Sequence, residues 1–301
     1  MRIFLTGATG YLGVSILETF VRAGHEVTAL VRDARKARRV QTAGATAVLG
    51  DLATGDSWGA SATGHDAFVH AALDAPPRGV DADRTAIETL ATAARQSGSD
   101  RPLVYTSSVW VLGATRQPVD ESVPANPVPF SAWRAPHETM VLELGGVRGI
   151  VVRPGIVYGG ARGIVTDLFR SGVNGLVRVI GDGKNHWACV YDRDLAELYA
   201  KLVAAPDASG IYHATDEADE SVLDIINALS RSTTHRPDIR FVPIEEARIK
   251  MGPYAEALAL NQIVRSPRAH ALGWTPSLRS ISGNVPRLLE EWRMEHAAEG
   301  V

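Results

Sequence analysis

Thr6-Gly-Ala-Thr-Gly-Tyr-Leu-Gly13 decides how the rest of the chain is read. It follows the apolar run Ile3 to Leu5 and opens residues 11-23, where apolar side chains recur at helical spacing. A strand, a glycine turn and a helix in that order give each glycine a task. Gly7 permits the tight turn, Gly10 lets the backbone approach a pyrophosphate, and Gly13 lets helix and strand pack closely. The first N–H groups of the helix have no partners within it and carry the positive end of its dipole, so they suit a diphosphate. A glycine triplet alone is a weak signal; at the first strand-to-helix turn of an alternating pattern it is a strong one.

The alternation continues. Short apolar runs at Val27 to Val31, Ala47 to Leu49, Ala67 to Ala72, Leu103 to Tyr105 and Ile150 to Val152 are separated by helical stretches at 33-43, 80-97 and 133-145. Strands without polar alternation are buried on both faces, and their order implies right-handed crossovers. The expected class is α/β, a doubly wound parallel Rossmann sheet with a smaller C-terminal substrate-side domain. After a glycine-rich stretch, 155-185, come a helix at 193-204 and a short strand at 210-213. Ligands of open sheets bind beyond the carboxyl ends of the strands, where late segments form a roof. Residues 1-159 and about 186-215 are therefore assigned to the dinucleotide-binding domain, and about 160-185 and 216-301 to the smaller one. Pro124, Pro127 and Pro129 mark an extended connection before the 133-145 helix.

The 301 residues carry 31 Lys+Arg against 34 Asp+Glu, a net charge of -3 that gives no overall case for nucleic acid or an anionic membrane. No apolar run approaches a membrane span, and the run after Arg2 is too short for a signal peptide. Cys189, the single cysteine, cannot form an intrachain disulfide, so a cytoplasmic protein is expected. Scattered His, Asp and Glu show no metal-ligand spacing, and no G-x-S-x-G elbow supports serine hydrolysis.

Six segments together resemble the short-chain dehydrogenase/reductase superfamily, in its extended and atypical branches, with sugar-nucleotide epimerases and dehydratases as relatives. They are Thr6 to Gly13, Gly50-Asp51-Leu52, Val69-His70-Ala71-Ala72, Thr106-Ser107-Ser108, Arg153-Pro154-Gly155-Ile156-Val157-Tyr158-Gly159 and Val190 to Ala196. The likeness spans most of the chain. It implies cofactor contacts from Gly7, Thr9, Gly10, Tyr11, Leu12, Gly13, Asp51, Leu52, Ala71, Ala72 and Pro154, with Asp51 at the adenine.

An NAD enzyme of this type usually ends its second strand with an acid on the ribose hydroxyls. Here Val31 stands there, followed by Arg32, whose guanidinium suits a 2′-phosphate. NADP(H) is therefore favoured, with NAD(H) the alternative. Arg35 and Lys36 add positive potential, whereas Arg38 and Arg39 read as a solvated helix face. Asp33 either caps the helix or takes the ribose itself.

Ser108 falls where the superfamily has its serine, but the helix expected to carry Tyr-x-x-x-Lys has Trp133 and His137 in those positions. Indole supplies no acid near neutral pH, while imidazole titrates there. Ser108 and His137 are the catalytic candidates; Trp110, Trp133 and His186 are assigned to the substrate pocket. Against these stand a Ser108 that satisfies local backbone, a partly exposed helix His137, and a Tyr158 that is structural. The leading expectation is an atypical NADP(H)-dependent oxidoreductase acting on a small carbonyl or alcohol. An epimerase-like enzyme and a non-catalytic dinucleotide sensor of the NmrA-like kind are the alternatives. Superfamily relatives imply a homodimer as an option.

Overall fold

A computed structural model of the chain describes residues 1–74 and 78–299, so the last two residues of the expected C-terminal unit lie outside it. In chain order the first half runs β1 (Arg2–Thr6), α1 (Tyr11–Arg22), β2 (Glu26–Val31), α2 (Ala34–Thr42), β3 (Thr46–Leu49), α3 (Gly59–Ala62) and β4 (Ala67–His70). Then come α4 (Gly79–Ser97), β5 (Arg101–Thr106), α5 (Arg134–Leu142) and β6 (Val147–Pro154). The sheet has the order β10-β6-β5-β4-β1-β2-β3, with β10 spanning Gly210–Ala214, and every pairing is parallel.

Strand alternation sorts the two faces. Ile3 and Leu5 of β1 pack with Ile16, Leu17 and Phe20 of α1 and with Leu195, Leu198 and Leu202 of α7 (Asp192–Ala204). Phe4, one residue out of phase, packs with Trp58, Ala62 of α3 and Leu90 of α4. Helices therefore cover both faces, as apolar runs without alternation require.

The stretch expected only to be glycine-rich contains β7 (Ile156–Tyr158), α6 (Ile164–Val173) and β8 (Leu176–Ile180); β7 pairs with β9 (Cys189–Tyr191). β8 pairs with β11 (Asp238–Val242), and α8 (Val222–Ser232) and α12 (Val285–Glu299) pack on the same second core. The intervening helices are α9 (Ile244–Met251), α10 (Tyr254–Leu258) and α11 (Pro267–Ala271). One part of the C-terminal span returns to the large unit. Ala269 and Trp274 belong to the sheet's core, and the Trp274 indole donates to Asp194 O at 2.7 Å.

Candidate functional site

The glycine turn is built as its spacing demands. Gly7 has φ +85°, and a Cβ there would lie 2.5 Å from Ala71 O. A Cβ on Gly13 would lie 2.0 Å from Gly7 O, so helix and turn touch through backbone alone. Gly10 differs, because its Cβ would meet only Gly7 O at 3.1 Å. Its open side faces a cavity of about 350 Å³ lined by Gly7, Thr9, Leu52, Ala71, Ala72 and the cations described next. Tyr11 donates to Gly159 O at 2.7 Å, while Leu12 packs on the sheet's core. Pro154 is buried at the end of β6, in register with Ala214.

Arg32, Arg35, Lys36 and Arg39 line that cavity, with Arg162 from the connection before α6. Arg39 was expected to solvate a helix face; one helical turn beyond Arg35, it reaches the cavity, whereas Arg38 does not line it. Asp33 resolves as a helix cap, accepting from Lys36 N at 2.9 Å. Arg32 is held at 3.2 Å from Asp74. Asp51 flanks the cavity, its carboxyl held below the usual range by the Ala53 N–H and by the Arg78 guanidinium. The cavity therefore combines open backbone at a helix start with a cluster of cations, an arrangement that suits a dinucleotide's phosphates.

Thr6, His70 and Tyr105 sit side by side at the carboxyl ends of β1, β4 and β5. Above them Asp83 of α4 accepts from the Tyr105 hydroxyl at 2.9 Å, and His70 Nε2 and His137 Nδ1 lie 3.2 and 2.6 Å from its two oxygens. His70 Nδ1 is 2.6 Å from Thr6 Oγ1. Burial works against the Asp83 carboxylate, yet the hydrogen bonds from His137 and His70 hold its pKa well below normal. His137 is thus no partly exposed helix histidine: it is 1% exposed and turned toward Asp83. Trp133, at the start of α5, meets the His137 ring edge-on at 5.4 Å and carries the Arg134 guanidinium 4.4 Å from its ring centre. Next to His137, Glu138 forms a buried ion pair with Arg153 at 2.6 Å and accepts from Ser107.

Ser108 is half-buried, and its Oγ accepts the Trp110 N–H at 3.2 Å, a local satisfaction that leaves its hydroxyl proton unassigned. Trp110 packs against Phe130 and Tyr254, with ring centres 5.5 and 6.0 Å away. Tyr254, which burial raises above the ordinary phenol range, also lines a second cavity of about 210 Å³ between α6, β8 and α10. Its walls are mainly apolar, with Ile164, Leu168, Val179, Trp187 and Leu258 beside Asp167 and Arg178. Of the pair His186 and Trp187, only the second lines this cavity. Trp187 enters the cavity, while the His186 ring is held 2.9 Å from Asn261 Oδ1. Tyr158 is structural, donating to Leu278 O at 3.0 Å. Cys189 is buried and its thiol is pushed well up by burial, which removes it as a nucleophile.

Residues 3–215 match the model of the NAD dependent epimerase/dehydratase family, and the chain belongs to that family of nicotinamide-dinucleotide enzymes. An uncharacterized protein of Schizosaccharomyces pombe is 32% identical over 290 residues, covering 92% of this chain and 95% of its own. The 4-hydroxy-2-methyl-3-oxo-4-farnesyl-3,4-dihydroquinoline-1-oxide ketoreductase of Stigmatella aurantiaca is 29% identical over 262 residues, covering 82% and 78% respectively. Among solved structures, Thermus thermophilus UDP-glucose 4-epimerase in complex with NAD has the same fold, with TM-score 0.81 at 20% identity over 97% of this chain and 99% of that one. Among the described residues no helix is long and apolar enough to cross a membrane.

Proposed function

We propose that the chain is an NADP(H)-dependent reductase of a small, largely apolar ketone. The observation that carries the reading is the cation cluster of Arg32, Arg35, Lys36 and Arg39, which shares one cavity with Gly7 and Gly10 while Val31 stands where a ribose-binding acid is usual. A 2′-phosphate there meets charge-assisted donors, whereas β2 itself ends in Val31 and not in the acid usual for a ribose, and the cavity's Asp74 is engaged by Arg32. The similarity to a ketoreductase supports the reaction class.

When bound, the nicotinamide supplies hydride to the carbonyl carbon, and one proton from solvent completes the alcohol. Ser108 donates a hydrogen bond to the carbonyl oxygen, its acceptor side being taken by the Trp110 N–H. Trp133 contributes a wall and no acid, so His137 is the proton-handling group on that helix. The second cavity, walled by Trp187 and Tyr254, suits an apolar or aromatic substituent. Trp133 in the tyrosine slot is what favours the sensor reading instead. A carbonyl and alcohol panel with NADPH and NADP⁺ separates the two: oxidation of NADPH by a ketone supports the reductase, and tight binding without turnover the sensor.

A further inference from the structure

We propose that Asp83 is a positioning residue for His137. The carboxylate fixes the imidazole in the tautomer with its proton on Nδ1, and through His70 it ties that ring to Thr6 at the entrance of the glycine turn. The inference rests on the reductase reading only for its consequence in turnover; the tautomer itself is a property of the chain.

The donors and acceptors assign themselves. An ionised carboxylate only accepts, so each group that contacts Asp83 must donate to it: the Tyr105 hydroxyl, His70 Nε2 and His137 Nδ1. With its proton on Nε2, a neutral His70 has a bare Nδ1, which accepts the Thr6 hydroxyl at 2.6 Å. His70 thus uses both ring nitrogens. His137 uses one: among the described residues Nε2 has no partner, and the atom is not among the sealed, unsatisfied ones. The one nitrogen that this buried cluster leaves for proton exchange is therefore His137 Nε2.

The charges point the same way. Asp83 is 3% exposed and, among the described residues, its direct contacts are a phenol and two imidazoles; the Arg134 guanidinium acts on it electrostatically without touching it. A buried carboxylate whose direct contacts include no permanent cation is costly, Arg134 acting on it only without contact, and apolar side chains of similar size would fill the space without that cost. What the carboxylate supplies is a seat for a transient cation. When His137 takes a proton on Nε2, the positive charge forms on a ring already 2.6 Å from an anion. Carbonyl reduction consumes one hydride from NADPH and one proton from solvent, giving NADP⁺ and the alcohol; His137 is where the chain can hold that proton. Because Thr6 opens the glycine turn and His137 lies on the helix of the catalytic slots, the chain of contacts links the two halves of the site.

Long-range ¹H–¹⁵N spectra of the protein without cofactor, assigned with a His137→Gln variant, test the tautomer. A neutral His137 ring protonated on Nδ1 and bare on Nε2 is expected. A ring protonated only on Nε2, or exchanging between both forms, overturns the proposal. In Asp83→Asn the amide retains the shape and loses the charge. For any ketone that the parent reduces, kcat should fall roughly 10²-fold while KM and the NADPH Kd stay within about threefold. Unchanged kcat in a folded Asp83→Asn protein also overturns it. Should that variant not fold, the spectrum of the parent protein decides. Should the parent reduce no ketone, the reductase reading falls and the spectrum alone decides the role of Asp83.

Discussion

Replacing Arg32 by Ala removes the cation next to the β2 end and should weaken NADPH far more than NADH. A hydrogen bond to a charged group contributes about 1.5–3 kcal/mol. Two features reduce that figure here: the Arg32 side chain is 52% exposed, and Asp74 already holds it at 3.2 Å, so a phosphate must displace an existing partner. Solvent screening and that exchange leave roughly 1–1.5 kcal/mol, or about a 5- to 12-fold loss of NADPH affinity. NADH should move by less than about twofold, because the lost interaction concerns only the 2′-phosphate. Arg35, Lys36 and Arg39 remain in the cavity, so some preference survives and a further Arg39→Ala change should lower it again. Fluorescence titration with both nucleotides reads these constants directly. The preference should also shrink as salt rises from about 0.05 to 0.5 M, since the cations are solvent-facing. Equal affinity for NADPH and NADH in the parent protein refutes the reasoning at its root.

Other perturbations have distinct signatures. Gly10→Val should abolish dinucleotide binding at a modest cost in melting temperature, because its Cβ makes one tight contact, Gly7 O at 3.1 Å; Gly13→Ala, with its Cβ 2.0 Å from Gly7 O, should unfold the turn itself. Ser108→Ala should cut turnover roughly 10²-fold with cofactor affinity unchanged, as steady-state kinetics on any ketone found in the panel would show. Glu138→Ala strands the Arg153 guanidinium in the core and should cost about 3–5 kcal/mol by urea unfolding. Asp216 has its pKa pushed by burial up to about 7, above its unfolded value. Its contribution to stability is therefore present in acid and is lost as pH rises toward and through 7. Asp216→Asn should flatten that decline and raise the melting temperature at pH 8 relative to the parent.

Apolar periodicity revealed the first six strands because each carries a short apolar run, buried on both faces in the inner strands and kept even in the edge strand β3, where Leu49 is 59% exposed. It failed between residues 155 and 185, where Gly159, Gly160, Gly163, Gly175, Gly181 and Gly183 all have positive φ and mark turns around α6 and β8. Dense glycines there obscured β7, α6 and β8. The cofactor turn was legible because three glycines in fixed register have one physical purpose. Arg39 borders the cavity from an exposed helix face, and such a face gives no sign, from sequence alone, of which cavity it adjoins. Tyr254 and the second cavity carried no motif at all: the phenol reaches Trp110 only through folding of a segment over a hundred residues away. Asp83 was also silent, but His70 offered a clue, a lone polar residue ending the four-residue strand Ala67–His70, all of it buried. A histidine so placed must spend its nitrogens on partners, and finding them leads to Thr6, Asp83 and His137.

Hydride transfer from NADPH to a ketone is tested most directly with NADPH deuterated at the transferring nicotinamide carbon, in turn at each face. Small apolar and aromatic ketones are the substrates, and the product alcohol is analysed by mass spectrometry. The predicted result is one deuterium on the carbinol carbon from one labelled face only, with the label lost in Gly10→Val. A parent protein that binds NADPH tightly yet forms no labelled alcohol across the panel would contradict the account and leave a dinucleotide sensor in its place.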